Sequence, residues 1–222
     1  MSIASRRERE RRERRLSILD AAHEVFGNKG FDQATMDDIA AAAELSKGTL
    51  YLYFKNKDAL FMALVVRMTR RNAAEFERLA RESKSGLCAI QDMLATYAES
   101  ITRSPQLFRV MVGQLASGRM IDTETPAFLQ HREQVERLVS AFVTAIERGK
   151  LDGSLRPGLD ARQTSSQLWG GLIGTMLISI NSAEMKRRFP QNIDYSRFVE
   201  GFIQLVCNGL QPPMTESLEA AL

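Results

Sequence analysis

The chain has 222 residues, 44% of them hydrophobic and 26% charged, a balance close to that of ordinary globular proteins that excludes global disorder. Its formal net charge is only +3, so bulk charge gives no sign of an acidic partner such as nucleic acid. The 14 glycines and 6 prolines are few for this length and favour an all-α fold, with a compact N-terminal module and a larger second unit.

Cysteines, histidines and apolar runs narrow the function classes further. Cys88 and Cys207 lie far apart in apolar helical patterns, and the chain has two histidines. This set forms no metal signature and no disulfide framework, so we expect no cofactor and no metal. The longest apolar stretch, Leu168 to Ile180, is 13 residues long and too short to span a bilayer. The N-terminus lacks the apolar core of a secretory signal, and we expect a cytoplasmic protein.

The first predicted helix covers about residues 11–28, where small and apolar residues recur on one face. Its repeating positions are Ile18, Ala21, Ala22, Val25 and Phe26. Seven arginines lie between Arg6 and Arg15, but three glutamates interrupt them. This pattern favours a frayed, solvated helix start over a dedicated DNA-binding arm. We expect residues 1–10 to be flexible.

Two short helices with a tight turn between them follow at residues 35–54. The Thr35 hydroxyl can cap the first helix, with Asp38 three residues further on. Ser46 can cap the second helix, which ends near Phe54, and the turn covers residues 43–45. Apolar anchors stand where the helices must cross and meet the core, at Ile39, Ala40, Leu45, Leu50 and Phe54. This spacing predicts a helix-turn-helix, whose second helix can enter the major groove of DNA.

The outward positions of this motif carry groups that suit DNA. Hydrogen-bonding side chains that reach phosphates or base edges stand at Ser46, Lys47, Thr49, Tyr51 and Tyr53. Gly48 has no side chain where the start of the helix approaches the DNA backbone, and Thr35 and Lys57 are placed to hold flanking phosphates. Each residue taken alone has an ordinary role as a cap, core or surface residue, whereas their joint spacing favours DNA binding.

The rest of the chain is predicted to be helical, with short breaks. The predicted helices cover about residues 57–81, 87–103, 105–117, 126–149, 161–182 and 194–209, which makes about nine in the whole chain. We therefore expect a DNA-binding domain at 11–57 and a helical domain at 58–211. Residues 212–222 are expected to be a flexible tail.

About a fifth of the chain, near its N-terminus, resembles a known family of regulators. Residues 18–61 are similar to the DNA-binding domain of the TetR family. The residues that carry this resemblance are Ser46-Lys47-Gly48-Thr49-Leu50-Tyr51 and Tyr53-Phe54, followed by Lys57. The usual glycine of the turn is replaced by Glu44, which costs about 1 kcal/mol if that position has a positive φ. The resemblance implies a three-helix DNA-binding head on a larger helical body that dimerises and often holds an effector. It implies that the DNA-contacting positions are Thr35, Ser46, Lys47, Gly48, Thr49, Tyr51, Tyr53 and Lys57.

Two late helices are suited to pairing two copies of the chain. Glycines beside apolar residues allow close helix approach in 161–182, and an apolar stripe runs along 194–209. The expected dimer interface comprises Gly170, Gly171, Gly174, Leu177, Phe198, Phe202 and Leu205. The resemblance implies the same pairing, because the family dimerises through its last two long helices. These stripes equally suit the core of a single protomer.

An apolar pocket for an effector is the third expected site. Adaptable methionine, aromatic and aliphatic residues suitable for its lining are Tyr97, Ile101, Phe108, Met111, Val112, Leu115, Leu138, Phe142, Trp169 and Met176. The same residues would suit a filled core. They carry almost no charge, which favours a small neutral or cationic apolar ligand over a phosphorylated metabolite.

These expectations together predict a repressor that a small apolar ligand releases from operator DNA. The alternatives are a DNA-binding dimer without an effector, which recruits partners or shapes DNA, and an activator. No nucleophile elbow, phosphate-binding glycine loop, paired-histidine helix or CxxC motif is found, so we expect no enzyme activity.

Overall fold

The computed structural model describes residues 3–116, 125–188 and 194–213, and within these ranges the chain is helical and contains no strand. The all-α prediction is confirmed. The helices are α1 (Ile3–Lys29), α2 (Met36–Ala42), α3 (Lys47–Tyr51), α4 (Lys57–Glu82), α5 (Gly86–Arg103), α6 (Pro105–Ala116), α7 (Pro126–Leu151), α8 (Ala161–Ile180), α9 (Ser182–Arg188) and α10 (Phe198–Leu210). A 3₁₀ turn at Tyr195–Arg197 precedes α10. None of the helices in the described ranges combines the length and the apolar character that a membrane span requires.

The first helix begins earlier than the sequence patterns predict. α1 starts at Ile3, whereas the patterns place its start near residue 11 and predict residues 1–10 to be flexible. Arginine and glutamate are good helix formers, and the segment contains no glycine or proline before Gly27. Ion pairs one turn apart add support, since the charged groups of Arg6 and Glu10 lie 2.8 Å apart. Residues 214–222, most of the predicted flexible tail, lie outside the described residues.

The described part of the chain holds ten α-helices where the patterns predict about nine, and the additional one is α9. α8 ends at Ile180 because Asn181 leaves the helical conformation, with φ −107° and ψ 20°. The chain re-enters a helix at Ser182, where Glu184 pairs with Arg188 at 2.7 Å and with Arg187. Apolar periodicity marks α8 as a buried helix but gives no sign of α9, whose side chains are not buried.

The helices form two compact units. The first unit comprises the described residues of 1–71 and 103–134, and the second comprises those of 72–102 and 135–222. The predicted DNA-binding domain, 11–57, lies entirely in the first unit. The predicted boundary between residues 57 and 58 stays a prediction.

The core of the first unit is built by α1 to α4 with the start of α6. Ile18, Ile39, Leu50 and Leu60 are completely buried there. The periodicity of α1 is confirmed, since Ile18, Ala22 and Phe26 all face this core. The Phe31 ring packs against Phe26 and Phe61, with ring centroids 5.4 and 5.1 Å apart. This packing anchors the loop between α1 and α2 to the core.

The second unit contains a close crossing of α5 over α7. A Cβ atom on Gly86 would lie 2.3 Å from the Cα atom of Gly149, so this contact requires glycine. Backbone amides at the start of α5 are capped from the α7 end, where Gly86 N donates to Asp152 Oδ2 at 2.8 Å. Arg148 donates to the Ala80 carbonyl at 2.8 Å and also bonds the Ser83 carbonyl, which closes the end of α4.

Candidate nucleic-acid interface

The start of α2 is held by the cap that the sequence predicts. The amide of Asp38 donates to the Thr35 hydroxyl at 3.1 Å, and the Thr35 amide donates to the Asp38 carboxylate at 3.0 Å. Two otherwise free amides are satisfied by this reciprocal arrangement. Lys29 also donates to Asp38 at 2.7 Å. The hydrogen bonds from Lys29 and from the Thr35 backbone and hydroxyl lower the pKa of Asp38 to about 2.

The turn between α2 and α3 is a left-handed helix cap with glutamate at the position that glycine favours. Glu44 has φ 54°, which meets the condition under which replacing the usual glycine costs stability. Its amide donates to the Ala41 carbonyl at 3.1 Å, and the Leu45 amide donates to the Ala40 carbonyl at 2.9 Å. This pair of bonds is the Schellman arrangement, with Leu45 folded back towards Ala40. The turn therefore keeps its geometry despite Glu44.

The second helix of the motif begins at Ser46 as predicted. The Thr49 amide donates to the Ser46 hydroxyl at 3.2 Å, and the two hydroxyls lie 2.8 Å apart. The α-helix itself is shorter than predicted and ends at Tyr51 rather than near Phe54. A tighter turn follows, in which the Tyr53 amide donates to the Leu50 carbonyl at 3.0 Å.

The surface of α3 carries an internal ion pair. Lys47 Nζ lies 2.8 and 2.9 Å from the two carboxylate oxygens of Asp37, which is in the first turn of α2. Both side chains are exposed, and the hydrogen bond to Asp37 raises the pKa of Lys47. Gly48 leaves the start of the helix open, since the nearest atom to an added Cβ would be the Ser46 hydroxyl at 4.0 Å. Tyr51 is 44% exposed.

Lys57, a predicted phosphate contact, is engaged with the protein backbone. Its ammonium group donates to the carbonyls of Phe31, Asp32 and Ala34 at 2.6, 3.1 and 3.0 Å. It also lies 4.5 Å from the centre of the Phe31 ring. All three ammonium hydrogens thus serve the loop between α1 and α2. A DNA contact by Lys57 stays a prediction.

Two residues near α3 belong to this surface although the sequence patterns do not single them out. Arg15 of α1 donates to the Tyr53 carbonyl at 3.3 Å and places its guanidinium 4.2 Å from the centre of the Phe54 ring. Leu52, the residue that follows α3, is 78% exposed beside Tyr51. The exposure of Leu52 could be inferred from the helical periodicity of α3. The Arg15 contact could not, because it depends on how α1 packs against the turn after α3.

A comparison with known proteins identifies this arrangement. The family model described as bacterial regulatory proteins of the tetR family matches residues 18–64, which contain the whole motif. An HTH-type transcriptional repressor of Mycobacterium tuberculosis is 30% identical over 144 residues, which cover 64% of this chain and 70% of that protein. The chain belongs to the TetR family.

Other TetR-like proteins agree over most of the chain. The HTH-type transcriptional regulator UidR of Escherichia coli K12 is 28% identical over 174 residues, covering 78% of this chain and 84% of UidR. The regulator FadR from Bacillus subtilis, solved in complex with stearoyl-CoA, shares the fold with a TM-score of 0.65 at 18% identity, covering 88% of this chain and 99% of FadR. TetR-family regulators bind operator DNA as dimers, and the helix-turn-helix found here is the DNA-binding element of such regulators.

The structure distributes the residues of the predicted effector pocket over both units. Tyr97, Ile101, Leu138, Phe142, Trp169 and Met176 lie in the second unit, whereas Phe108, Met111 and Val112 lie in the first. The side chain of Leu115 lies outside the described residues. In the second unit the rings of Tyr97 and Trp169 pack at a tilt of 46° with centroids 4.3 Å apart, and burial raises the pKa of the Tyr97 hydroxyl.

A cavity in the first unit is lined by other residues. It measures about 290 Å³ and lies between the second half of α1 and the start of α6. Its lining is His23, Glu24, Gly27, Asn28, Arg103, Gln106 and Leu107. His23 Nε2 and the Ser104 hydroxyl lie 2.6 Å apart beside it. None of the predicted pocket residues lines this cavity.

The predicted dimer residues lie on α8 and α10 of the second unit. Gly171 and Phe202 pack against each other within the protomer, since a Cβ atom on Gly171 would lie 2.7 Å from the Phe202 ring. Phe198 is half-buried, and Gly170 and Gly174 are exposed. Leu177 is 37% exposed and Leu205 72% exposed. The two helices thus pack together and still expose apolar side chains.

Proposed function

We propose that this TetR-family regulator is a homodimeric, cytoplasmic repressor that recognises its operator through α3. The observation that supports this proposal is the capped and exposed α3, held at one end by Ser46 and at the other by Arg15. The free amides and partial positive charge at the start of α3 favour a DNA phosphate. The DNA-facing set is Thr35, Ser46, Lys47, Gly48, Thr49, Tyr51, Tyr53 and Lys57.

The members of this set differ in what they contact. Lys47 and Thr49 stand on the first turn of α3, the part of a recognition helix that reaches base edges, and we assign them with Tyr53 to base recognition. Tyr51, which is exposed near the end of α3, is assigned to the phosphate backbone. Lys57 is also assigned to the phosphate backbone. To contact a phosphate, its ammonium group would have to give up one of its hydrogen bonds to the backbone carbonyls of the loop before α2.

Dimerisation through α8 and α10 provides the second reading head. One head contacts too few base pairs for selective binding, whereas two heads bind half-sites roughly 34 Å apart. The exposed Leu177 and Leu205 with the exposed glycines Gly170 and Gly174 suit close helix packing. Leu205→Glu should shift sedimentation at micromolar concentration from dimer towards monomer. Leu151→Glu is the matched control, since Leu151 is 90% exposed outside this face. An unaltered dimer in both variants would place the interface elsewhere.

A small apolar ligand is proposed to release the repressor. The buried aromatic and aliphatic residues around Tyr97 and Trp169 suit a neutral or cationic apolar compound, because no charged group is among them. A ligand shifts the balance between two states only by its different affinity for each. Because α4 continues without a break from Lys57 to Glu82, a displacement of this helix would change the spacing of the two heads.

Operator binding in the presence of ligands tests this function. The affinity of the dimer for a selected operator is measured by fluorescence anisotropy with hydrophobic cationic dyes, with neutral apolar compounds and with a long-chain acyl-CoA. A fall in affinity with the first two, with the dimer intact, supports the proposal. A response to the acyl-CoA alone would correct the ligand class. The alternative of a DNA-binding dimer without effector predicts the same affinity with every compound that binds.

A further inference from the structure

The first four turns of α1 extend into solvent and carry all the arginines of this helix. Residues 5–17 are all exposed. Two of the arginines are neutralised within the helix, since Arg6 pairs with Glu10 at 2.8 Å and Arg9 lies 3.9 Å from Glu13. Over most of these turns the helix therefore packs against no other part of the described chain, and its charged side chains face solvent.

Four other arginines of this helix have no partner among the described residues. Arg7, Arg11, Arg12 and Arg14 make no hydrogen bond or ion pair with any residue that the structure describes. At 3.6 residues per turn Arg7, Arg11 and Arg14 fall within about 60° of one another and form one row about 10 Å long, whereas Arg12 lies about 100° or more away from them. We call Arg7, Arg11 and Arg14 the arginine row.

The row leads directly to the DNA-reading helix. Arg15 continues the same face of the helix, because the arginine row and Arg15 together span about 100° around the helix axis. Its guanidinium lies over the Phe54 ring, and it donates to the Tyr53 carbonyl in the turn that follows α3. Burial and then the neighbouring charge of Arg11 lower the pKa of Arg15, so like charges repel along this face. A row of cations that is continuous with the reading surface is complementary to a phosphate backbone.

We propose that the arginine row is a second DNA-contacting surface, which binds phosphates flanking the half-site that α3 occupies. This inference rests on the proposed function, because the row needs α3 seated in a groove to bring it against the duplex. It reverses the expectation of a frayed helix start. Arginine suits this task, since its planar guanidinium donates to phosphate oxygens in pairs.

The test compares two triple variants of the full-length dimer that carry the same net charge. Arg7→Gln/Arg11→Gln/Arg14→Gln removes the row, and Arg6→Gln/Arg9→Gln/Arg12→Gln removes three arginines from the opposite face. Glutamine keeps helix propensity, and circular dichroism checks that both variants retain the wild-type helix content. Operator affinity is measured between roughly 50 and 200 mM salt, with operators cut at the half-sites or extended by about 10 bp on each side.

Removing one phosphate contact should reduce the slope of log affinity against log salt by about 0.9, so removing the row from both protomers should reduce it by up to about five. The opposite-face variant should keep most of the wild-type slope, and flanking DNA should strengthen wild-type binding but not that of the row variant. Equal slopes for the two variants on extended operators would overturn the inference. Failure of the wild type to prefer the operator over scrambled DNA would instead remove the proposed function itself.

Discussion

The ammonium nitrogen of Lys57 lies 2.6 Å from the carbonyl oxygen of Phe31 and 4.5 Å from the centre of its ring. A lysine at the start of α4 thus fastens the loop that precedes α2, and with it the position of the helix-turn-helix. The contact gives Lys57 a structural role besides the phosphate contact predicted for it.

Replacing this lysine should destabilise the protein. Lys57→Ala leaves the carbonyls of Phe31, Asp32 and Ala34 without their donor, and hydrogen bonds to a charged group contribute about 1.5–3 kcal/mol. We expect the free energy of unfolding in urea to fall by about 2 kcal/mol. Lys55→Ala is the control, because the Lys55 side chain is exposed and makes no hydrogen bond within the described residues. Equal stability of the two variants would contradict this role.

Replacing the strained glutamate in the turn should stabilise the protein. Glycine adopts a positive φ without strain, so Glu44→Gly should raise the free energy of unfolding by about 1 kcal/mol. For a protein of this size that corresponds to a rise of about 2–4 °C in the melting temperature. Glu44→Ala keeps the Cβ atom and should show no such gain. A rise with alanine as large as with glycine would mean that the side chain, and not the backbone, is the source of strain.

The ion pair between Asp37 and Lys47 should weaken DNA binding. A phosphate must compete with the carboxylate for the Lys47 ammonium, and the carboxylate itself repels the DNA. Asp37→Asn should therefore raise operator affinity by a few fold and steepen its salt dependence. Asp20→Asn removes another exposed partner of an ion pair, with Arg67, and serves as the control for net charge. The same gain in both variants would show that only net charge matters.

The depressed pKa of Asp38 predicts an acid-dependent stability. The pKa of this carboxyl is about 2 in the folded protein, against an ordinary value of 3.8. Its ionised form therefore stabilises the fold. That stabilisation is complete above about pH 4 and disappears as the pH falls towards 2. Asp38→Asn should thus be less stable than the wild type at about pH 6, and the difference should shrink between about pH 4 and pH 2. A difference that is independent of pH in urea denaturation would contradict the assignment of this shift to the carboxylate charge.

The sequence predicts those features of the motif that depend on neighbouring residues. Caps such as Thr35 and Ser46 follow from local hydrogen bonding, and the positive φ of Glu44 follows from the family pattern of the turn. The engagement of Lys57, the Asp37–Lys47 pair and the contact of Arg15 join residues 10 to 38 positions apart. Periodicity carries no information about such contacts. It also fails to reveal the early start of α1, because that segment is polar all round and has no apolar face to detect.

A selection of genomic DNA fragments tests directly whether the dimer recognises a specific operator through α3. Purified dimer is incubated with fragmented genomic DNA at moderate salt, and the retained fragments are sequenced. We expect an enriched inverted repeat with half-sites roughly one helical turn, or a multiple of it, apart, and a weakened preference at particular base pairs in Thr49→Ala. Retained fragments with no common sequence, bound no better than random competitor, would contradict this role of α3.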